Sequence, residues 1–460
     1  MGNDMMRDAS TKRRSSHRSS EEGLGWLAIV RLGLVQAALG AIVVLTTSTL
    51  NRVMIVELGL AAVIPGLLVG LHYGVQITRP LWGHKSDTGR SRTEWILGGL
   101  ALLAISGTAA AATTLLFQQS FFAGLMAAII AYILIGIGIG ASGTSLLALI
   151  AMKTAVERRA AAATITWMLM ITGIIVTSIV VGSQLDPYSH ERLIAVTAAT
   201  GVVAFLIGIL GVIGMEARPT IGASGEQSAV SSFRESLQDV LDDRESRLFT
   251  LFIFLSMLAF ATQDLILEPY AGLLFGMTPG ETTGLSGTQH AGVLLGMILV
   301  GVSGAMFGKR LPNLPRHFIT WGCFGSALAL GALALSTQSA PNWPLEINIF
   351  LLGAANGAFA VAAVGTMMIL AGQGRKSNYG MRMGVWGAAQ AIAFGLGGVL
   401  GTVALDLGRW LTTSDALAFA TVFSIEASLF LISALVATRI GRRSAGQSAR
   451  FPDAAVVPGE

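Results

Sequence analysis

Apolar runs of membrane-crossing length are what most constrain this chain. A bilayer core of ~30 Å takes about 20 helical residues to cross. Twelve runs near or above that length follow one another, at about 28–50, 60–79, 95–117, 121–151, 160–184, 192–215, 248–275, 287–308, 317–337, 346–372, 380–405 and 414–438. In hydrocarbon every backbone N–H and C=O needs a partner within the protein, so runs this long fold as helices. Composition agrees: 53% of residues are hydrophobic and 12% charged, against roughly 25% charged in a soluble domain. An ordinary soluble enzyme is excluded. The net charge of +4 does not indicate nucleic acid, because the bases cluster between apolar runs instead of forming a stripe. The one cysteine, Cys323, sits inside a run, which leaves no disulfide framework or thiolate metal site.

The segment 1–22 is polar and basic, with Lys12, Arg13, Arg14 and Arg18. The run behind it is too long for a signal-peptide core of ~7–15 residues, so it reads as a first span behind a disordered cytoplasmic tail. With the N-terminus inside, only Arg52, Arg192 and Arg409 of the 30 Lys and Arg fall outside. That bias is the positive-inside rule, and it fixes both termini in the cytoplasm. The one long internal polar stretch, 216–247, divides a six-span bundle over 23–215 from another over 248–440, and 441–460 is a second cytoplasmic tail.

The halves look duplicated. At a single offset of 217, Gly136 aligns with Gly353, Gly140 with Gly357, Arg158 with Arg375 and Arg159 with Lys376. The cytoplasmic connection between spans two and three carries Gly83, Asp87, Gly89 and Arg90. This resembles the loop signature of the major facilitator superfamily, with Asp87 and Gly89 one residue closer than usual. The fold class expected is therefore an all-α, twelve-helix, 6+6 pseudo-symmetric bundle of that kind, whose ligand site lies between the halves at mid-membrane. The glycines at 136, 138, 140 and 143 mimic a dinucleotide fingerprint, but with no strand before them they read as close helix packing.

Ionisable groups inside a membrane are functional hypotheses by default. Asp264 and Glu268 lie four apart on the seventh run, hence on one helical face, and Pro269 disturbs the helix bond to the carbonyl near 265. A proton, cation or ligand site and two acids solvated in a cavity mouth are the competing readings. Asn51, Arg52 and Glu57 close the first run, either as a site or as a structural ion pair. His72 and Gln76 share a face on the second run with Arg79 one turn on. A histidine there either packs through hydrogen bonds or ligates and relays protons. On the eleventh run Trp386 and Gln390 share a face, suited to the plane and edge of a flat ligand or to an interfacial belt. Nucleotide-binding, hydrolase and zinc-protease motifs do not occur, and no enzyme is expected.

Four stretches taken in order, 50–58, 72–76 with 79–87, 263–270 (including Tyr270), and 383–390, resemble the PucC/LhaA-type bacteriochlorophyll-delivery family, a branch of the major facilitator superfamily in phototrophic bacteria. The likeness covers essentially all twelve spans. It implies a multi-pass protein of the inner or intracytoplasmic membrane that helps assemble light-harvesting complexes, with bacteriochlorophyll as bound cargo and no nucleotide. The implied partners are antenna polypeptides, reaction-centre and light-harvesting assembly intermediates, and a chlorophyll synthase. On that footing His72 is a candidate axial ligand to the pigment Mg²⁺, Trp386 a stacking group, and Gln76, Gln390 or Tyr270 donors to ring carbonyls. Two rivals keep the fold: a proton-coupled transporter of an amphipathic molecule titrating Glu268 and Asp264, and a scaffold that binds antenna helices without pigment.

Overall fold

The computed structural model describes residues 24–78, 91–154, 159–216, 238, 242–307, 310–311, 313–372 and 379–440. Both tails, most of the 216–247 linker, and Arg79, Gly83, Asp87, Gly89 and Arg90 lie outside them. All twelve expected runs become helices: α1 Trp26–Glu57, α2 Val63–Val75, α3 Arg92–Gln119, α4 Phe121–Lys153, α5 Arg159–Leu185, α6 His190–Val212, α7 Arg244–Phe275, α8 Pro279–Phe307, α9 Leu314–Ser336, α10 Leu345–Gly372, α11 Tyr379–Thr412 and α12 Asp415–Ala437. Eleven are long and apolar enough to cross a membrane; α2 is shorter, at 13 residues, and ends in a 3₁₀ turn over Gln76–Thr78. Among the described residues there is no strand.

Helices α8 and α7 start ahead of their apolar runs for physical reasons. Helix α8 starts at Pro279, ahead of the apolar run, because its polar first turns face protein and not lipid: Thr282, Thr283 and Ser286 are all buried. Thr278 and Glu281 form its capping box. Thr278 N–H donates to the Glu281 carboxylate at 2.8 Å and Glu281 N–H to the Thr278 hydroxyl at 3.2 Å. Helix α7 reaches back to Arg244, inside the expected linker, with Asp243 accepting from Glu245 N–H at 3.2 Å.

Helix pairing repeats at a step of six. In the N-terminal half α1 packs on α5 and α6, α3 on α4 and α6, and α2 on α4. In the C-terminal half α7 packs on α11 and α12, α9 on α10 and α12, and α8 on α10. The 217 offset reappears in a backbone contact. A Cβ added at Gly136 would meet the carbonyl of His72, and one added at Gly353 would meet the carbonyl of Gln289, which is residue 72 moved by the same 217 positions. The halves meet along two seams, α2 against α11 and α5 against α8. Outward faces carry large apolar side chains, with Ile105, Leu210 and Leu335 all more than 60% exposed, the surface that lipid covers.

At the cytoplasmic end of the first half, helix ends satisfy one another. Glu216, just past α6, accepts from the Ser91 hydroxyl at 2.6 Å and from the N–H groups of Arg92 and Thr93 at 2.7 and 3.2 Å, so it caps α3. Partial burial pushes this carboxyl up, but the three donors outweigh that and hold it below its ordinary value. Arg31 of α1 donates to the carbonyls of Leu210 and Ile213 at the end of α6.

Candidate functional site

The outer part of the interface between the halves is built where two helices depart from ideal geometry. In α1 the α-helix gives way to π-helical turns at Leu45–Thr49 and Val53–Glu57. In α7, Pro269 has no N–H for the carbonyl of Leu265, and that freed oxygen accepts from the Asn51 side chain of the other half. The proline effect read in the sequence thus acquires a partner 214 residues away. Hydroxyls extend the seam, pairing Ser48 with Ser286 and Thr49 with Thr283, each at 3.1 Å. Ser286 also donates to one Glu268 oxygen at 2.5 Å, while the other oxygen is buried without a partner.

Arg52 is 2% exposed and supplies the positive charge. It pairs with Glu57 and donates to the Met277 carbonyl at 2.8 Å. Gly272 lets it lie flat against α7, since a Cβ there would sit 3.1 Å from the guanidinium. Outside this layer is a polar pocket of about 490 Å³ whose lining includes Arg52, Glu57, Asp186, Tyr188 and Met277. Burial pushes the Tyr188 phenol, in the α5–α6 connection, well above its ordinary value. Asp264 is half-buried and lies in electrostatic reach of His290, whose Nδ1 is 2.8 Å from the Ser286 carbonyl oxygen.

The α2–α11 seam is different. It holds a groove of about 730 Å³ lined by aliphatic side chains, glycines and Tyr73. Leu67, Ile392 and Leu396 on its walls are 43–55% exposed at the outside of the bundle, so the groove opens sideways toward lipid. Tyr73 meets Phe394 at 5.6 Å, and Phe394 meets Phe260 at 5.9 Å, so aromatic contact runs from α2 through α11 to α7. His72 is fully buried behind this wall, with Nδ1 2.7 Å from the Val69 carbonyl oxygen and its ring 4.1 Å from that of Tyr73. Gln76 and Gln390 are half-buried toward the inner end of the same two helices.

The residues singled out in the sequence therefore separate into groups. Asn51, Arg52, Glu57 and Glu268 come together in the outer seam. Trp386 does not reach them: it is buried edge-on against Phe249 at 4.9 Å. Tyr270 is turned into the C-terminal core, bonded to Ser336 at 2.5 Å and packed on Phe419 and Phe423. No cavity found among the described residues is lined by His72, Glu268 and Trp386 together. Three acids went unnoticed in the sequence. Glu426 in α12 is fully buried with both oxygens unpartnered, and its place in an apolar run was signal enough. Asp186 and Asp406 sit at the ends of runs, where an acid looks like an ordinary solvated residue.

Two bundles of six helices related by an internal repeat, with a lateral groove on one seam, define a polytopic membrane protein of the major facilitator fold. Solved structures agree: a D-xylose–proton symporter superposes with a TM-score of 0.67 at 17% identity, covering 90% of this chain and 96% of that one. The nucleoside transporter NupG gives 0.65 at 13%, covering 90% and 100%. Residues 49–445 match the PUCC protein family, and the chain belongs to that family. It is 51% identical over 437 residues to the bacteriochlorophyll synthase 44.5 kDa chain of Rhodobacter capsulatus, covering 95% of this chain and 100% of that protein. Against protein PucC of Cereibacter sphaeroides the identity is 29%, covering 89% and 90%.

Proposed function

We propose that the protein acts in the inner or intracytoplasmic membrane of a phototrophic bacterium as an assembly factor for light-harvesting complexes, binding bacteriochlorophyll and delivering it to antenna polypeptides. The observation that carries this reading is the lateral α2–α11 groove. Its volume of about 730 Å³ falls in the ~300–1,000 Å³ range of small-molecule sites, yet its walls offer scarcely a hydrogen bond. A soluble metabolite would find nothing there to replace its water. A pigment that lives in the bilayer loses little on entering. The name of the 51%-identical relative supports the same cargo.

In this reading Tyr73 forms the wall behind the ring. His72 serves as axial ligand to the pigment Mg²⁺ only by leaving the Val69 carbonyl and turning past Tyr73. In the same reading Gln76 and Gln390, near the inner end, bond the ring carbonyls. The partners are antenna polypeptides, their assembly intermediates with reaction centres, and the chlorophyll synthase that makes the cargo; the chain itself catalyses nothing. Purification from pigment-producing cells in mild detergent, followed by a near-infrared spectrum, tests this. A stoichiometric bacteriochlorophyll band is expected, with its loss in Gly395→Trp, which fills the groove. A colourless parent protein, or a filled variant as coloured as the parent, overturns the reading.

One observation favours a second reading, proton-coupled transport of an amphipathic molecule: Glu268 is buried between the halves with one oxygen free. Uptake into proteoliposomes under a pH gradient, abolished by Glu268→Gln, is its expected signature. Uptake that survives the substitution removes it.

A further inference from the structure

Helix α2 begins without a cap of its own. The four residues before Val63 are Gly59, Leu60, Ala61 and Ala62, none of which offers a side-chain acceptor, and Ala62 occupies the cap position. The first N–H groups of a helix need partners, and a Ser, Thr, Asp or Asn at the cap ordinarily supplies one. Here the acceptor comes from the opposite half. Asp406 of α11 accepts from Ala62 N–H at 3.0 Å through one oxygen and from Val63 N–H at 2.7 Å through the other. A carboxylate on a helix N-terminus also opposes the positive end of the helix dipole. Asp406 is itself steadied by Arg409 at 3.6 Å, which holds Asp415 at 2.7 Å.

One turn further in, Gly66 sits directly beneath Thr402, with no room for a Cβ. The next turn stays close, since a Cβ at Gly70 would lie 2.7 Å from the Val399 side chain, and beside this contact runs the groove, with Leu67, Leu71 and Gly74 on one wall and Ile392, Gly395 and Val399 on the other. The two walls are thus tied at their outer end through a hydrogen-bonding debt that α2 cannot settle alone.

We infer that Asp406 is a positioning residue that latches α2 to α11 and so sets the width of the lateral groove. Its consequence for cargo rests on the reading of that groove as the pigment site. With the latch made, the outer end stays shut and an occupant is retained. With it broken, the outer end of α2 loses its partner and swings from α11.

The test pairs a distance with an occupancy. Cys323 is buried, so spin labels go to introduced cysteines at the exposed positions Ala61 and Leu411. Pulsed dipolar spectroscopy on the full chain in lipid nanodiscs then reads the separation of the two outer ends. Asp406→Ala is expected to lengthen and broaden that distance by several ångström and to speed bacteriochlorophyll loss about fivefold, the factor that one lost helix cap corresponds to. Asp406→Asn keeps one acceptor oxygen and falls between, and it serves if the alanine variant does not fold. Adding Ala62→Ser to Asp406→Ala returns a cap to α2 without the tie, so thermal stability recovers while the distance stays long. An unchanged distance in Asp406→Ala, or a distance restored by Ala62→Ser, overturns the latch. A wider distance in a protein that never binds pigment upholds the latch and overturns the groove as the pigment site.

Discussion

The two seams between the halves occupy equivalent places in the internal repeat and are built to opposite ends. Along α5–α8 the helices touch backbone to backbone. A Cβ at Gly182 would lie 2.7 Å from the Gly280 carbonyl oxygen and 3.0 Å from Gly284 N, and one at Gly287 would lie 3.2 Å from the Ser178 side chain. Along α2–α11 a groove of about 730 Å³ opens beside the line of contact. The ends differ in the same sense. Helix α8 carries its own capping box, and the Thr278 hydroxyl ahead of it adds a bond to Asp186 of the other half at 2.7 Å. Helix α2 has no cap and borrows both acceptors from Asp406. The duplicated bundle thus brings helices close through glycines on both seams, at Gly182 and Gly280 on one and at Gly66 and Gly70 on the other, but only the second is flanked by a groove and joined at its outer end by a borrowed carboxylate.

The contrast breaks most directly by placing the same side chain on each seam. Gly182→Leu forces four carbons into a backbone contact, which costs about 3 kcal/mol or more; a large fall in melting temperature is expected, read by tryptophan fluorescence in detergent. A Cβ at Gly395 meets only the Tyr73 Cβ at 3.8 Å, so Gly395→Leu is expected to extend into the groove and leave the melting temperature within a degree or two of the parent, on the order of the ±0.5 kcal/mol of unstrained substitutions. Equal losses at the two positions would mean that the groove closes in the folded protein and that the seams are alike after all.

Helix number and the duplication were legible because each rests on a signal carried by many residues: run length and a repeat offset. The Pro269 effect was legible too, since a missing N–H and its orphaned carbonyl are local covalent facts. What escaped was whatever depends on which neighbour a side chain turns toward. His72 lies on the same helix as the groove, but its ring faces the interior while Tyr73, one residue on, faces the groove. Trp386 looked like a ligand platform and is packed against Phe249. Asp406 was invisible because its task is defined by a helix 344 residues away that lacks a cap. An absence at 59–62 is as informative as a motif, once it is read as a donor awaiting an acceptor.

The smallest expected effect sharpens the comparison from outside both seams. Glu216 caps α3 as Asp406 caps α2, with a carboxylate borrowed from another helix, but donor and acceptor belong to one half. Its carboxyl is held below its ordinary value in the folded chain. The folded state therefore binds this proton less readily than the unfolded chain. The stabilisation is fully present above the unfolded value of about 4.3 and is lost as pH falls through the lower, folded value. Because the group is partly exposed, its worth is at most about 1 kcal/mol. Glu216→Gln should lower the melting temperature slightly at neutral pH and flatten its decline on acidification, while leaving the Ala61–Leu411 label distance untouched. A borrowed cap within one half should cost stability alone, and a borrowed cap between halves should cost geometry as well. If removing Glu216 also widens the groove, the clamp at Asp406 is one part of a global loosening and not a latch.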